Sequence, residues 1–470
     1  MRKHLSKTKK IKAVIISYYP LLSVLLGVVL ISIVMGPYQT LDTNLEFNTT
    51  QGVLRWGYPY LDRFGAPNND SYGDLFNMPP LGFYTQAAYF TIVPPSEQNG
   101  VALITLFGLA CIVVIYGLGK LLYNSTTGLF AAALFGLAPW QLILSRAFLI
   151  DVQSLLLSLV CFYFGVLAIR RESVKYALIS GVLFAAAIMT KQFAIFILIP
   201  LLLLYLYHRP KNLKRIIGQM VTFGLPTVFS SLSWYQGILG KDLLYLFTHN
   251  DFRDLNFPTY TPSYSFLGEF LTNYGLGIVF TCTITFSVIS GVVIWKQLSK
   301  DIIFSDIICI VTVVLILATV VYLGVSLNLK AAYTSAIKYA YQSLPFFCLL
   351  AASLVIKSGT WLKSAEKTHR LKKTVCYFFG ITGVCLLVIT LLVNLGIAQQ
   401  LATTSYLIMR VQPGIDVGYA FHVDNPLSQG SSLLLLQVLG FLMVLSGIVW
   451  AERRVITNTL KHRYREFAGH

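Results

Sequence analysis

About twelve windows of some 20 mostly apolar residues run through this chain, each long enough to cross the hydrocarbon core of a bilayer as a helix. They fall near 13–35, 100–118, 127–144, 150–169, 175–190, 193–207, 215–232, 275–295, 307–326, 343–357, 374–396 and 433–450. Composition agrees: of 470 residues, 56% are hydrophobic and only 12% charged, against roughly 25% charged in soluble domains. The expected fold class is an all-α polytopic membrane protein of about 12 transmembrane helices with a long extracytoplasmic first loop.

The formal net charge of +17 would suit a nucleic-acid partner, but its distribution argues otherwise. With a cytoplasmic N-terminus, 27 of the 36 lysines and arginines fall on the cytoplasmic side, and 13 of the 19 acidic residues fall outside. This is the positive-inside asymmetry, so the charge encodes orientation and attraction to anionic lipid heads, not nucleic-acid binding. The organisation expected is a basic tail over 1–12, a transmembrane domain over 13–450 and a cytoplasmic tail over 451–470. Large outer loops are expected over 36–100, 233–274 and 397–432. The basic N-terminus and apolar run read as an uncleaved signal anchor in a multi-pass protein of a prokaryotic plasma membrane. All seven cysteines lie in or beside apolar helices, which gives neither a disulfide framework nor a zinc spacing.

A first outer loop of this length is a functional signal, because long connectors are uncommon. Its opening reads Leu41-Asp-Thr-Asn-Leu-Glu-Phe47. Thr43 and Glu46 have capping-box spacing, predicting a short helix over about 44–55 that stops before Gly57. Glu46 is thus either a capping residue or a site residue. Asp42 lies outside the box, at the outer end of the first span. Arg55 sits further along the loop, and Pro79-Pro80 opens a second short helix running to Pro94-Pro95.

Three further outer turns carry isolated charges. One holds Ser145-Arg146 and Asp151, whose five-residue separation does not require a mutual salt bridge. Arg146 is either a snorkelling interfacial residue or a site cation. Lys191 is the only Asp, Glu, Lys or Arg between Lys175 and Arg209, and such a cation calls for water or an anion. The third turn carries Lys338 and Tyr339 just before Leu344-Pro345. Carboxylates at such a surface can take a proton as general bases, and cations there can stabilise a developing negative charge. Asp42 suits the first task; Lys191, Lys338 and Arg146 suit the second. Asp151 would orient a cation, position the acceptor, or hold a divalent metal with Asp42, although two carboxylates are too few to establish a metal.

Leu41-Asp-Thr-Asn-Leu-Glu46, Gly57-Tyr-Pro-Tyr60, Pro79-Pro80-Leu-Gly-Phe-Tyr84, Ser145-Arg146 with Asp151, Thr190-Lys191 and Lys338-Tyr339 stand in an order that resembles a known family. It is the GT-C class of integral-membrane glycosyltransferases, in the family 39 branch of protein O-mannosyltransferases and lipid A aminoarabinose transferases. The resemblance implies transfer of a sugar, with inversion, from a polyprenyl-phosphate donor to an extracytoplasmic acceptor protein, lipid or glycan. It implies a catalytic set of Asp42, Glu46 and Asp151, with Arg55, Arg146, Lys191, Lys338 and Tyr339 around the donor. In two places the chain departs from the family pattern. Asp42 is followed by Thr43 where the family has Glu, and Lys338 replaces an Arg, giving a point charge instead of a bidentate fork. The alternative reading is a transporter or flippase for lipid-linked sugars, which would carry its charges at mid-depth and show internal repeats.

Overall fold

Proline and polar caps, more than hydrophobicity, decide where these helices begin and end. The computed structural model describes residues 7–35, 41–60, 79–208, 213–238, 304–326 and 340–364, with Leu442, Met443 and Ser446. Among them there is no β-strand. Helix α1 (Lys7–Met35) turns Leu21, Val24, Val28 and Ile31 inward at three- and four-residue spacing, against α4 (Glu97–Leu122) and α5 (Ser125–Leu137). Ser96 caps α4 by accepting from the Asn99 N–H at 3.1 Å, and Asn124 caps α5 through the Thr127 N–H at 2.9 Å.

The single span expected over 127–144 is broken. Ala138 is extended because Pro139 follows it, and the chain restarts as the short α6 (Pro139–Leu144). Next come α7 (Asp151–Arg170) and α8 (Val174–Thr190), an antiparallel hairpin tightly packed along its length. The span expected at 193–207 begins as a 3-10 segment, Gln192–Ile197, before α9 (Leu198–His208). Helix α10 (Leu213–Ser231) packs on α8 and runs into a π-helical turn, Leu232–Ile238. Helices α11 (Phe304–Ser326) and α12 (Leu344–Ser364) close the bundle over α5 and α9, with a 3-10 turn at Ala340–Ser343. Two shorter helices, α2 (Leu41–Trp56) and α3 (Leu81–Phe90), lie in the expected first loop.

Three described helical stretches are long and apolar enough to cross a membrane: Glu97–Leu122, Asp151–Arg170 and Lys214–Ile238; six shorter apolar ones accompany them. The outward side of α10 presents Ile217, Met220, Val221, Leu225, Val228 and Phe229, the last 73% exposed. An apolar surface of this extent suits contact with lipid better than with water. The spans expected at 275–295 and 374–396, most of 433–450, and the loop over 397–432 lie outside the described residues, as do Lys338 and Tyr339.

At the α7 C-terminal end of the bundle, Asp306 of α11 is buried. It accepts from Ser353 Oγ of α12 at 2.7 Å and is ion-paired with Lys357. Lys357, one of the cations on the expected cytoplasmic side, ties α11 to α12 through this pair.

Candidate active site

At the opposite end, Asp151 opens α7 and Lys191 follows the last residue of α8, so the α7–α8 hairpin brings both to one place. Lys191 Nζ donates to Asp151 Oδ2 at 2.6 Å, and the two residues are 8% and 4% exposed. The backbone of Lys191 is extended (φ −158°, ψ 131°), which stops α8 and turns the chain into the 3-10 segment. Lys191 is therefore not the solitary cation its sequence surroundings imply. It belongs to an ion pair whose partner lies 40 residues earlier.

A second carboxylate reaches the same spot. Glu46 Oε2 accepts from the backbone N–H of Ile150, the residue preceding α7, at 2.7 Å. The expected capping box is thus overturned: α2 begins at Leu41, two residues before Thr43, and Glu46 bonds to the start of a different helix. The predicted stop is present, since α2 ends before Gly57, whose φ of +80° suits glycine alone. Asp42 lies in the first turn of α2, four residues before Glu46. Arg55 is exposed in the last turn of α2, about two and a half turns beyond Glu46 and so on the other face. Arg146 is buried in the turn before α7, at 6% exposure.

Helix α3 fits between these elements because Gly82 has no side chain. A Cβ there would stand 2.5 Å from Ile150 Cγ2 and 3.4 Å from Thr190 Cγ2. Around α3 runs a set of polar contacts that sequence reasoning missed. Thr50 Oγ1 donates to Gln86 Oε1 at 2.8 Å, and Gln153 Nε2 donates to Thr85 Oγ1 at 2.9 Å. Gln86 Nε2, Gln153 Oε1 and Trp234 Nε1 are buried without a hydrogen-bond partner among the described residues. The signal that could have found the glutamines is their rarity in apolar helices, where an amide needs a reason. Trp234 meets the Tyr84 ring edge-on at 6.4 Å between centroids. Tyr84 Oη donates to the Gly57 carbonyl at 3.0 Å, and burial raises its pKa.

Among the described residues, no three His, Cys, Asp or Glu side chains group closely enough to hold a metal ion. Asp151, for which metal binding with Asp42 was one of three alternatives, has an oxygen engaged by Lys191.

Residues 77–234 match the family described as dolichyl-phosphate-mannose-protein mannosyltransferase. That stretch runs from just before α3 into the π-helical turn and holds Arg146, Asp151 and Lys191, but not Asp42 or Glu46. Among solved structures, ArnT from Cupriavidus metallidurans in the apo state superposes with a TM-score of 0.54 at 14% identity, over 92% of this chain and 76% of that one. The chain has the GT-C fold. The same ArnT bound to undecaprenyl phosphate gives a TM-score of 0.50 at 14% identity, with equal coverage. No curated protein matches this chain in sequence. Among the described residues, Glu46, Arg146, Asp151 and Lys191 are the buried charges at the α7 N-terminal end. Arg55 stands apart from them.

Proposed function

We propose that this chain is a membrane glycosyltransferase that moves a sugar from a polyprenyl-phosphate donor to an extracytoplasmic acceptor, a protein, lipid or glycan, with inversion. The observation that carries the reading is the cluster of two buried cations and two buried carboxylates at one end of a GT-C fold. Buried ionisable groups at the ends of membrane helices must pair or face a water-filled cavity, and they characteristically mark functional sites. The undecaprenyl phosphate bound to ArnT supports a donor of the same chemical type.

In this reading the acceptor oxygen attacks the anomeric carbon as the C1–O bond to phosphate breaks. The acceptor proton goes to the Asp42 carboxylate, and the polyprenyl phosphate leaves with the bonding electron pair and an added negative charge. Lys191 and Arg146 face that charge. An ammonium carries three donors, so Lys191 can keep Asp151 on one and offer another to a phosphate oxygen. Asp151 thereby orients the cation, one of the roles expected for it. Lys338 and Tyr339 are proposed to complete the donor site. The unpartnered amide atoms of Gln86 and Gln153 and the indole N–H of Trp234 support a hydroxyl-rich substrate, since each needs a partner.

The test is release of polyprenyl phosphate from a panel of polyprenyl-phosphate sugars by the purified protein in detergent. It is paired with mass spectrometry of glycans and glycolipids from cells with and without the chain. Wild type turns over one donor and adds one sugar in cells. Asp42→Asn keeps donor binding and loses about 10²-fold or more in rate. A wild-type protein that moves lipid-linked sugars across vesicles without breaking the sugar–phosphate bond would overturn the reading in favour of a flippase.

A further inference from the structure

We propose that Glu46 is a positioning residue that fixes the start of α7, and with it the Asp151–Lys191 pair, against α2. The functional half of this rests on the glycosyltransferase reading; the structural half does not.

The residue preceding α7 is Ile150, which lacks a side-chain acceptor, and the helix start has no side-chain cap of its own. The first N–H groups of a helix have no intrahelical partner, and the aligned peptide dipoles favour negative charge there. Glu46 supplies both an acceptor and a carboxylate, from 104 residues away, at 2.7 Å and almost fully buried. The next residue along the chain is Asp151, whose carboxylate holds Lys191. One line of contacts therefore runs from α2 through the Ile150 amide and Asp151 to the end of α8. The far side of Ile150 is closed by α3, with Val53 of α2 and Phe83 and Ala87 of α3 packed around its side chain and no room for a Cβ on Gly82. Asp42 sits one turn from Glu46 on the same helix. Holding Glu46 to Ile150 therefore fixes the first turn of α2, which carries the proposed base, against the start of α7 and the proposed phosphate-facing cation. Geometry matters at that level, because a displacement of about 1 Å can cost on the order of 10²-fold in rate.

A residue acting through a backbone amide needs an acceptor oxygen, not basicity. Gln keeps the acceptor and Ala removes it. The test compares wild type, Glu46→Gln and Glu46→Ala as purified full-length protein. One measurement is the transfer rate across pH. The other is modification of Lys191 by an amine-reactive reagent, read by mass spectrometry. The expected result is that Glu46→Gln stays within about fivefold of the wild-type rate with an unshifted pH profile and a protected Lys191. Glu46→Ala loses at least about tenfold in rate and exposes Lys191 to the reagent. The proposal is overturned if Glu46→Gln is as inactive as Glu46→Ala while Lys191 stays protected, because the carboxylate then acts in the chemistry itself. It is also overturned if Glu46→Ala leaves Lys191 protected. Labelling needs no turnover, so a wild type without transfer activity would sink the functional reading and leave the positioning claim to the labelling result.

Discussion

Lys191 shows what a single residue does when it is buried with one partner. Removing one member of a buried ion pair leaves the other charge uncompensated and typically costs about 3–5 kcal/mol, whereas replacing both with apolar groups is often near neutral. Lys191→Met and Asp151→Leu are therefore each expected to lower the melting temperature in detergent markedly. The double variant should recover most of that loss while remaining inactive in transfer. A double variant no more stable than the singles would mean that the pair, bonded at 2.6 Å, is not an isolated two-charge unit. The isolation of Lys191 was legible in the sequence, and so was a cation-orienting role for Asp151; that these two meet was not, because pairing across 40 residues has no local signature. Glu46 is the harder case. Its spacing from Thr43 is that of a local cap, but it bonds to the start of a helix far along the chain, and a backbone N–H leaves no mark on sequence.

At the scale of elements, apolar length located the described apolar helices, with ends off by up to seven residues, as at Ser364 against the expected 357. It could not report how they are interrupted. Pro139 splits the expected span over 127–144, and the extended Lys191 forces the following segment to begin as a 3-10 turn. The second loop helix starts where Pro79-Pro80 places it, but ends at Phe90, short of Pro94-Pro95. Its contact with α7 depends on Gly82. A methyl there collides with Ile150 Cγ2, and overpacking of this kind costs roughly 1–3 kcal/mol. Gly82→Ala should lower both the melting temperature and the transfer rate, and Ile150→Ala in the same chain should restore part of both by removing the colliding methyl. Failure of the second substitution to help would place the harm elsewhere, at Thr190 for example.

The whole molecule is read most directly through sidedness. The distribution of Lys and Arg predicts both termini in the cytoplasm and the loops at 36–100 and 233–274 outside. A cysteine at Ser71 or Ser263 should react with an impermeant thiol reagent on intact cells, and Ser364→Cys should stay unlabelled. Labelling at 364 alone would invert the chain and put the α7 N-terminal end on the cytoplasmic face.

The buried carboxylates and cations at that end also bear on the order of synthesis. Glu46, Arg146, Asp151 and Lys191 all precede α9, so these four residues are made before α9 to α12. The α7–α8 hairpin carries Asp151 and Lys191 at its open end, where they meet as soon as the two helices lie side by side. A nascent chain entering the bilayer as that hairpin carries a neutral pair there in place of two separate charges. The later helices then join a bundle in which Asp151 and Lys191 already face each other.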